Sequence, residues 1–256
     1  MIDRTRPKLI ARMEDVTLAF GERLVLDKCT LEIVEGAITC IIGLSGAGKS
    51  TILRLLDGLL LPAAGHIYVR GQDICHMSEE QRNDVRQKIS LSFQFAALLD
   101  SLTVGENVAL PLREHTRLSE GEIRRAVIDA LDSVGLTEAY DNLPGELSGG
   151  MLKRAGFARA IVTRPELVLY DEPTTGLDPI VTNLITDTIL KLREKLNGTA
   201  VVISHDLPSI FAMADYVAML FEGAIIAYDT ADRIRNSSNP IVAQFLQGSE
   251  VGPIPI

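Results

Sequence analysis

The nine residues Gly43-Leu-Ser-Gly-Ala-Gly-Lys-Ser-Thr51 constrain this chain more than any other stretch. They fit the pattern G-x-x-x-x-G-K-[ST], and they stand between two segments of different character. Before them, Ile38–Ile42 (ITCII) is a continuous apolar run rich in β-branched residues, as expected of a strand buried on both faces. After them, a helix is predicted from about Lys49 to Leu60. Strand, glycine loop and helix together open a βα unit. Glycines let successive backbone N–H groups converge on an anion, and the helix N-terminus adds about half a positive charge. Lys49 then neutralises terminal phosphates, and the Ser50 hydroxyl suits a hard, oxygen-seeking ion such as Mg2+. Gly43, Leu44, Ser45, Gly46, Ala47, Gly48, Lys49, Ser50 and Thr51 are therefore expected to form a phosphate cradle.

A pair of carboxylates carries the matching chemistry. Leu167-Val-Leu-Tyr170 reads as a second buried strand, and Asp171 and Glu172 follow it at once. Ligands of open α/β sheets bind at the C-terminal ends of strands. Asp171 is expected to hold Mg2+, and Glu172 to polarise an attacking water as general base. His205 follows the apolar run Ala200–Ile203 in the same way, and its strand-end position suggests contact with a terminal phosphate.

A second anion-binding turn is expected at Leu147-Ser-Gly-Gly-Met151. Ser148 is a natural N-cap, and Gly149 and Gly150 leave N–H groups bare ahead of a helix that holds Lys153, Arg154 and Arg159. A simple capped helix fits the same residues. Spacing alone does not say whether this turn serves the same nucleotide as the first.

Composition bounds the partners. The 256 residues carry a net charge of −9, which disfavours nonspecific binding to nucleic acid or to anionic lipid. Arg4, Arg6 and Lys8, preceded by Asp3, read as a solvated terminus. Cys29, Cys40 and Cys75 are odd in number and lack CxxC spacing, which argues against a disulfide framework or zinc site and for a reducing compartment. Cys40, in its apolar run, reads as a small core residue. No secretory h-region is legible, and no stretch reaches the ~18 apolar residues of a spanning helix. A membrane role therefore requires a partner.

Elsewhere the pattern predicts strands at Met13–Phe20 and Leu31–Ile33 around a turn at Gly21–Glu22, and a last hairpin of Tyr216–Leu220 and Ala224–Ala227 around Glu222–Gly223. The stretch from Phe95 to Arg164 reads as mainly helical. Within it, Ser119 and Glu122 form a capping box, Ile123, Val127, Ile128, Leu131 and Val134 recur at helical spacing, and Gly135 supplies a stop. The layout is an α/β core interrupted by a helical lobe and closed by a tail.

Taken in order, these residues resemble the ABC transporter ATPases, from about Val16 to Tyr228. The Walker A loop is Gly43–Thr51, the Q-loop is Phe93-Gln94, the signature is Leu147–Met151, Walker B is Leu167–Glu172, the D-loop is Gly176-Leu-Asp178 and the switch is His205. The resemblance implies an α/β P-loop ATPase core with an antiparallel β subdomain and an inserted helical subdomain. It implies domain limits of 1–238, with the helical lobe at about 95–164, and a C-terminal tail at 239–256. It implies ATP and Mg2+ as cofactors, with Ser50, Gln94 and Asp171 serving the metal. A head-to-tail dimer would let Ser148, Gly149 and Gly150 of one copy grip the γ-phosphate held by Lys49 of the other, with Asp178 along the seam. Gln94 would relay nucleotide state to a membrane permease. Phe20 stands where the family stacks an aromatic on adenine, and as a strand residue it fits a core position equally well. Met151 departs from the family's usual glutamine.

Further strings narrow the resemblance. Phe93-Gln-Phe-Ala-Ala-Leu-Leu99, Pro111-Leu-Arg-Glu-His-Thr116, the Met151 variant and Gln244-Phe-Leu-Gln-Gly248 are similar to the ATPase of Mla/Mce-type lipid transporters. That implies transport of phospholipids or related lipids, a place on the cytoplasmic face of the inner membrane through the permease, and a lipid-binding Mce-type protein reached through that permease. Arg113, Glu114 and His115 fit a solvated, salt-linked surface equally. The apolar run Phe95–Leu99 either fills the lobe's core or lines a groove for a permease helix. The distance from Lys49 to Ser148 leaves no room for the coiled-coil insertion of DNA-repair or chromosome ATPases, and a translation-factor ATPase would carry two cassettes. A small-molecule kinase would not need the signature or the switch histidine. An importer ATPase for amino acids or another polar solute is the alternative reading.

Overall fold

The computed structural model describes residues 7–94 and 96–255. Asp3, Arg4, Arg6 and Phe95, which entered the expectations above, lie outside the described residues. Strands β1 (Leu9–Phe20), β2 (Arg23–Val34) and β3 (Ile38–Ile42) precede helix α1 (Lys49–Leu56). Strands β4 (Ala64–Val69) and β5 (Gln72–Asp73), helix α2 (Glu79–Arg86) and strand β6 (Ile89–Ser92) follow. Next come helices α3 (Val104–His115), α4 (Glu120–Ser133) and α5 (Gly149–Ile161), strand β7 (Leu167–Asp171) and helix α6 (Pro179–Leu196). Strand β8 (Thr199–Ile203), helix α7 (Leu207–Met213), strands β9 (Tyr216–Phe221) and β10 (Ala224–Thr230), and helices α8 (Ala231–Arg235) and α9 (Pro240–Gln247) complete the chain.

The chain forms two compact units, residues 1–82 with 201–256, and residues 83–200. In the first, β2, β1, β4 and β5 form an antiparallel sheet in that order. The β1–β2 hairpin turns at Gly21, whose φ of 61° is left-handed. Its strands alternate in burial as a half-buried sheet must: Met13, Val16, Leu18, Leu26, Cys29, Leu31 and Ile33 face inward. Strand β3, by contrast, is buried along its whole length and pairs in parallel with β9. The Asp215 carboxylate accepts the Ile38 N–H at 2.8 Å at the strand's start. Helix α1 buries Ile52, Leu53, Leu55 and Leu56, each worth roughly 1.5–3 kcal/mol of burial. The helix stops at Leu56 rather than at Leu60, because Gly58 adopts a left-handed φ of 68° just past the Asp57 cap.

The second unit is mainly helical, with β6 and β7 paired in parallel. Thr103 and Ser119 cap α3 and α4, each in a reciprocal capping box, as the sequence around Ser119 and Glu122 predicts. Gly105 lets α3 approach the Tyr140 ring: a Cβ there would lie 2.6 Å from it. Phe157 of α5 meets Tyr170 of β7 edge to face, with ring centroids 5.0 Å apart, and both are buried.

After Asn239 the first unit closes on itself. Asn239 caps α9, and the buried Gln244 side chain donates to the carbonyls of Ser249 and Ile254 at 3.2 Å each. Ile254 N–H returns a bond to Gln244 Oε1 at 2.7 Å. One amide side chain thus folds the end of the chain back onto its last helix.

Candidate functional site

In the first unit the glycine loop is shaped by close backbone approach. Gly43 follows β3 directly, beside β9, and a Cβ there would stand 2.2 Å from the Leu220 carbonyl oxygen. Gly46 and Gly48 have φ of 74° and 104°, and a Cβ on Gly48 would meet Val25 Cγ1 at 2.9 Å. Gly48 is also the N-cap of α1, and it offers no side chain to cap the first turn. The positive end of the α1 dipole therefore faces the loop, as an anion site requires. The buried Lys49 donates from Nζ to the carbonyls of Gly43 at 2.9 Å and Leu44 at 2.8 Å, which arches the loop around its ammonium. Ser50 is half-buried and Thr51 buried behind them.

Phe20 ends β1 half exposed, so the alternative of a core position does not hold. His205 is exposed just past β8. Beside it, the buried Ser204 accepts the Asp206 N–H through Oγ at 3.1 Å, and Asp206 caps α7.

In the second unit, β7 delivers Asp171 and Glu172 to its C-terminal end, both half-buried. Glu172 has a φ of 48°, uncommon for a residue with a side chain and a form of strain that concentrates at functional sites. Its Oε2 accepts the Thr175 hydroxyl at 2.9 Å and the Gln94 Nε2 donor at 3.4 Å. Gln94 and Glu172 are therefore brought together by the fold. Asp178 caps α6, its Oδ1 accepting the N–H groups of Ile180 and Val181 at 2.9 and 3.0 Å.

Ser148 caps α5 as expected, accepting the Met151 N–H at 3.3 Å. Ser148 and Gly149 are exposed, and Gly150 is buried where a Cβ would strike Val181 Cγ1 at 2.6 Å. The three cations of this helix are tied to backbone carbonyls. Lys153 donates to the carbonyls of Gln94 and Glu172, the latter at 3.4 Å. Arg154 donates to Val134 at 2.8 Å and Gly135 at 3.2 Å, and Arg159 to Ala97 at 2.7 Å and Ala96 at 2.6 Å. Ala96 and Ala97 have left-handed φ of 55° and 50°, so their carbonyls turn away from any regular ladder, and Arg159 satisfies them. Burial lowers the Lys153 pKa, against the opposing pull of Glu172 and Asp171.

Nothing in the sequence marks these ties, because a cation on a helix looks the same whether it meets water or a carbonyl. Asn107 was missed for the same reason. Fully buried, it exchanges bonds with Leu99 and also donates to the carbonyls of Leu102 and Thr103 at 3.0 Å. The apolar run splits accordingly: Ala96 is buried, Leu98 half-buried and Leu99 half exposed. Arg113 pairs with Glu120 at 2.8 Å on the surface.

The ABC transporter family model matches residues 26–175. The chain is 41% identical over 245 residues to the intermembrane phospholipid transport system ATP-binding protein MlaF of Haemophilus influenzae, covering 96% of this chain and 93% of that protein. It is 41% identical to MlaF of Escherichia coli over 95% of this chain and 90% of that protein. Among solved structures, a dimeric ATP-binding cassette bound to ADP and Pi matches with a TM-score of 0.79 and 30% identity, over 86% of this chain and 98% of that one. A cassette of a Clostridium perfringens ABC transporter complex matches with a TM-score of 0.83 and 27% identity, over 93% and 95%. Among the described residues no helix is long and apolar enough to cross a membrane. Proteins of this kind bind ATP with Mg2+ and hydrolyse it. The chain belongs to the ABC transporter family and is built as its ATP-binding cassette.

Proposed function

We propose that this chain powers a membrane permease that moves phospholipids or related lipids. The observation that carries this reading is 41% identity to MlaF across nearly the full length of both chains. In this reading Lys49 and the loop from Gly43 to Thr51, at the N-terminus of α1, hold the ATP phosphates. A Cβ at Gly43 would strike the Leu220 carbonyl and one at Gly48 would strike Val25, so only glycine lets the loop pass this close to its neighbours. Ser50, Gln94 and Asp171 serve Mg2+, Phe20 packs on adenine, and His205 touches the γ-phosphate. Glu172 accepts a proton from the attacking water once Thr175 and Gln94 release its carboxylate. Ser148, Gly149 and Gly150 act on ATP held by a second copy in a head-to-tail dimer, with Asp178 at the seam. The cassette domain spans 1–238, with its helical lobe at about 95–164 and the tail at 239–256. The complex sits at the cytoplasmic face of the inner membrane, where the permease links it to a lipid-binding Mce-type protein.

Glu172→Gln tests the chemistry. It keeps the shape and removes the proton acceptor, so ATP affinity persists while turnover falls roughly 10²–10⁴-fold. Near-normal hydrolysis would exclude Glu172 as the base.

A second reading has one observation in its favour. The probable ribonucleotide transport ATP-binding protein mkl of Mycobacterium leprae is 37% identical over 94% of this chain and 70% of that protein. A polar-solute importer would co-purify with a solute-binding protein, and a lipid system with phospholipid bound to the intact complex.

A further inference from the structure

Strand β4 turns its alternate residues outward, so His66 and Tyr68 share the exposed face of the antiparallel sheet while Ile67 and Val69 point inward. The turn at Arg70 and Gly71, both at left-handed φ, returns the chain as β5. Asp73 pairs with Tyr68 across the two strands and so comes up beside His66. A 3₁₀ turn at Ile74–His76 follows at once, capped by Asp73, whose Oδ1 accepts the Cys75 N–H at 3.0 Å. One 3₁₀ turn is about three residues, so His76 returns to the side of Asp73. His66 Nδ1 then lies 2.8 Å and His76 Nε2 3.7 Å from Asp73 Oδ2, and the three donor atoms all fall within 4.8 Å of one another.

We propose that His66, Asp73 and His76 form a binding site for a divalent transition metal of the zinc class. Two imidazoles and one carboxylate are the donor set such ions take, with water completing a tetrahedron. In a tetrahedral site with ligands about 2.0–2.1 Å from the metal, donor atoms stand about 3.3 Å apart. The distances of 2.8 and 3.7 Å bracket that spacing, and the exposed histidines reach it by small rotations. The Cys75 N–H donates to the other oxygen of the Asp73 carboxylate and fixes its orientation, and Tyr68 stacks on the His66 ring at 6.0 Å. The nitrogen-rich set disfavours Mg2+ and Ca2+, which take oxygen ligands. A bound metal would tie β4, β5 and the 3₁₀ turn into one unit. The site lies outside every nucleotide motif and rests on none of them.

Isothermal titration of the chelator-stripped, nucleotide-free chain with zinc chloride tests the site. The expected result is one zinc per chain with no comparable heat from magnesium chloride. His66→Ala and His76→Ala should each weaken binding at least about tenfold. Both side chains are exposed, so neither variant should unfold the chain, and circular dichroism checks this. Zinc should also raise the unfolding temperature of the parent chain and not of the variants. Absence of zinc binding, or equal affinity in all three proteins, would overturn the proposal.

Discussion

Two helices of this chain begin at a glycine-bearing turn with a lysine nearby, and the two turns are built in opposite ways. At α1 the turn is one that only glycine can form: Gly43 lies against the Leu220 carbonyl, Gly46 and Gly48 are left-handed, and no side chain caps the helix. At α5 the turn is relaxed. Ser148 caps it, and neither Gly149 nor Gly150 has a positive φ. The lysines divide the same way. Lys49 curls back onto its own loop, whereas Lys153 ties its helix to the backbone of Gln94 and Glu172. A glycine-rich turn can therefore be an anion cradle by its own shape, or a surface whose chemistry needs something brought to it.

The largest expected effect comes from Gly43→Ala. Its methyl cannot share space with a backbone carbonyl 2.2 Å away, so β3 and β9 must separate. The loss should be about 2–4 kcal/mol of stability together with ATP binding, read by denaturant unfolding and nucleotide titration. Full retention of both would mean that the close approach at Gly43 is not needed.

Lys153→Met should act more mildly. It keeps the aliphatic stem and removes the bonds to the Gln94 and Glu172 carbonyls. A loss of about 1–2 kcal/mol is expected, discounted for partial exposure, with turnover reduced more than ATP affinity. Equal loss of both would make Lys153 a purely structural tie. The smallest effect belongs to Gly149→Ala. Its Cβ would meet only Leu177 Cδ2, at an ordinary 3.7 Å, and alanine favours the helix. The isolated chain should gain up to about 0.5–1 kcal/mol. A destabilised Gly149→Ala would show that the second turn also requires glycine.

The contrast also marks what the sequence could convey. The β3–loop–α1 unit was legible because strand burial, glycine spacing and helix onset agree over a dozen neighbouring residues. So was the carboxylate pair, since four apolar residues end at once in Asp171 and Glu172. The capping box at Ser119 was legible because both of its partners lie within four residues. What escaped was long-range. Arg159 meets carbonyls 62 and 63 residues away, and Lys153 one 59 residues away. The early stop of α1 was missed because Leu59 and Leu60 continue an apolar pattern past the left-handed Gly58. The fate of the tail was missed because it hangs on the one buried side chain of Gln244.

The central claim is that the two turns are halves of one catalytic unit completed by a second copy of the chain. Mixing a Lys49→Ala chain with a Ser148→Arg chain in the assembled transporter tests it most directly. Each variant alone should be inactive, since both of its sites carry the same defect. In the mixed dimer one site is doubly damaged and the other has an intact Lys49 and an intact Ser148, so a fraction of ATP hydrolysis should return. If no activity returns although mixed dimers form, each chain uses its own second turn, and the account is wrong.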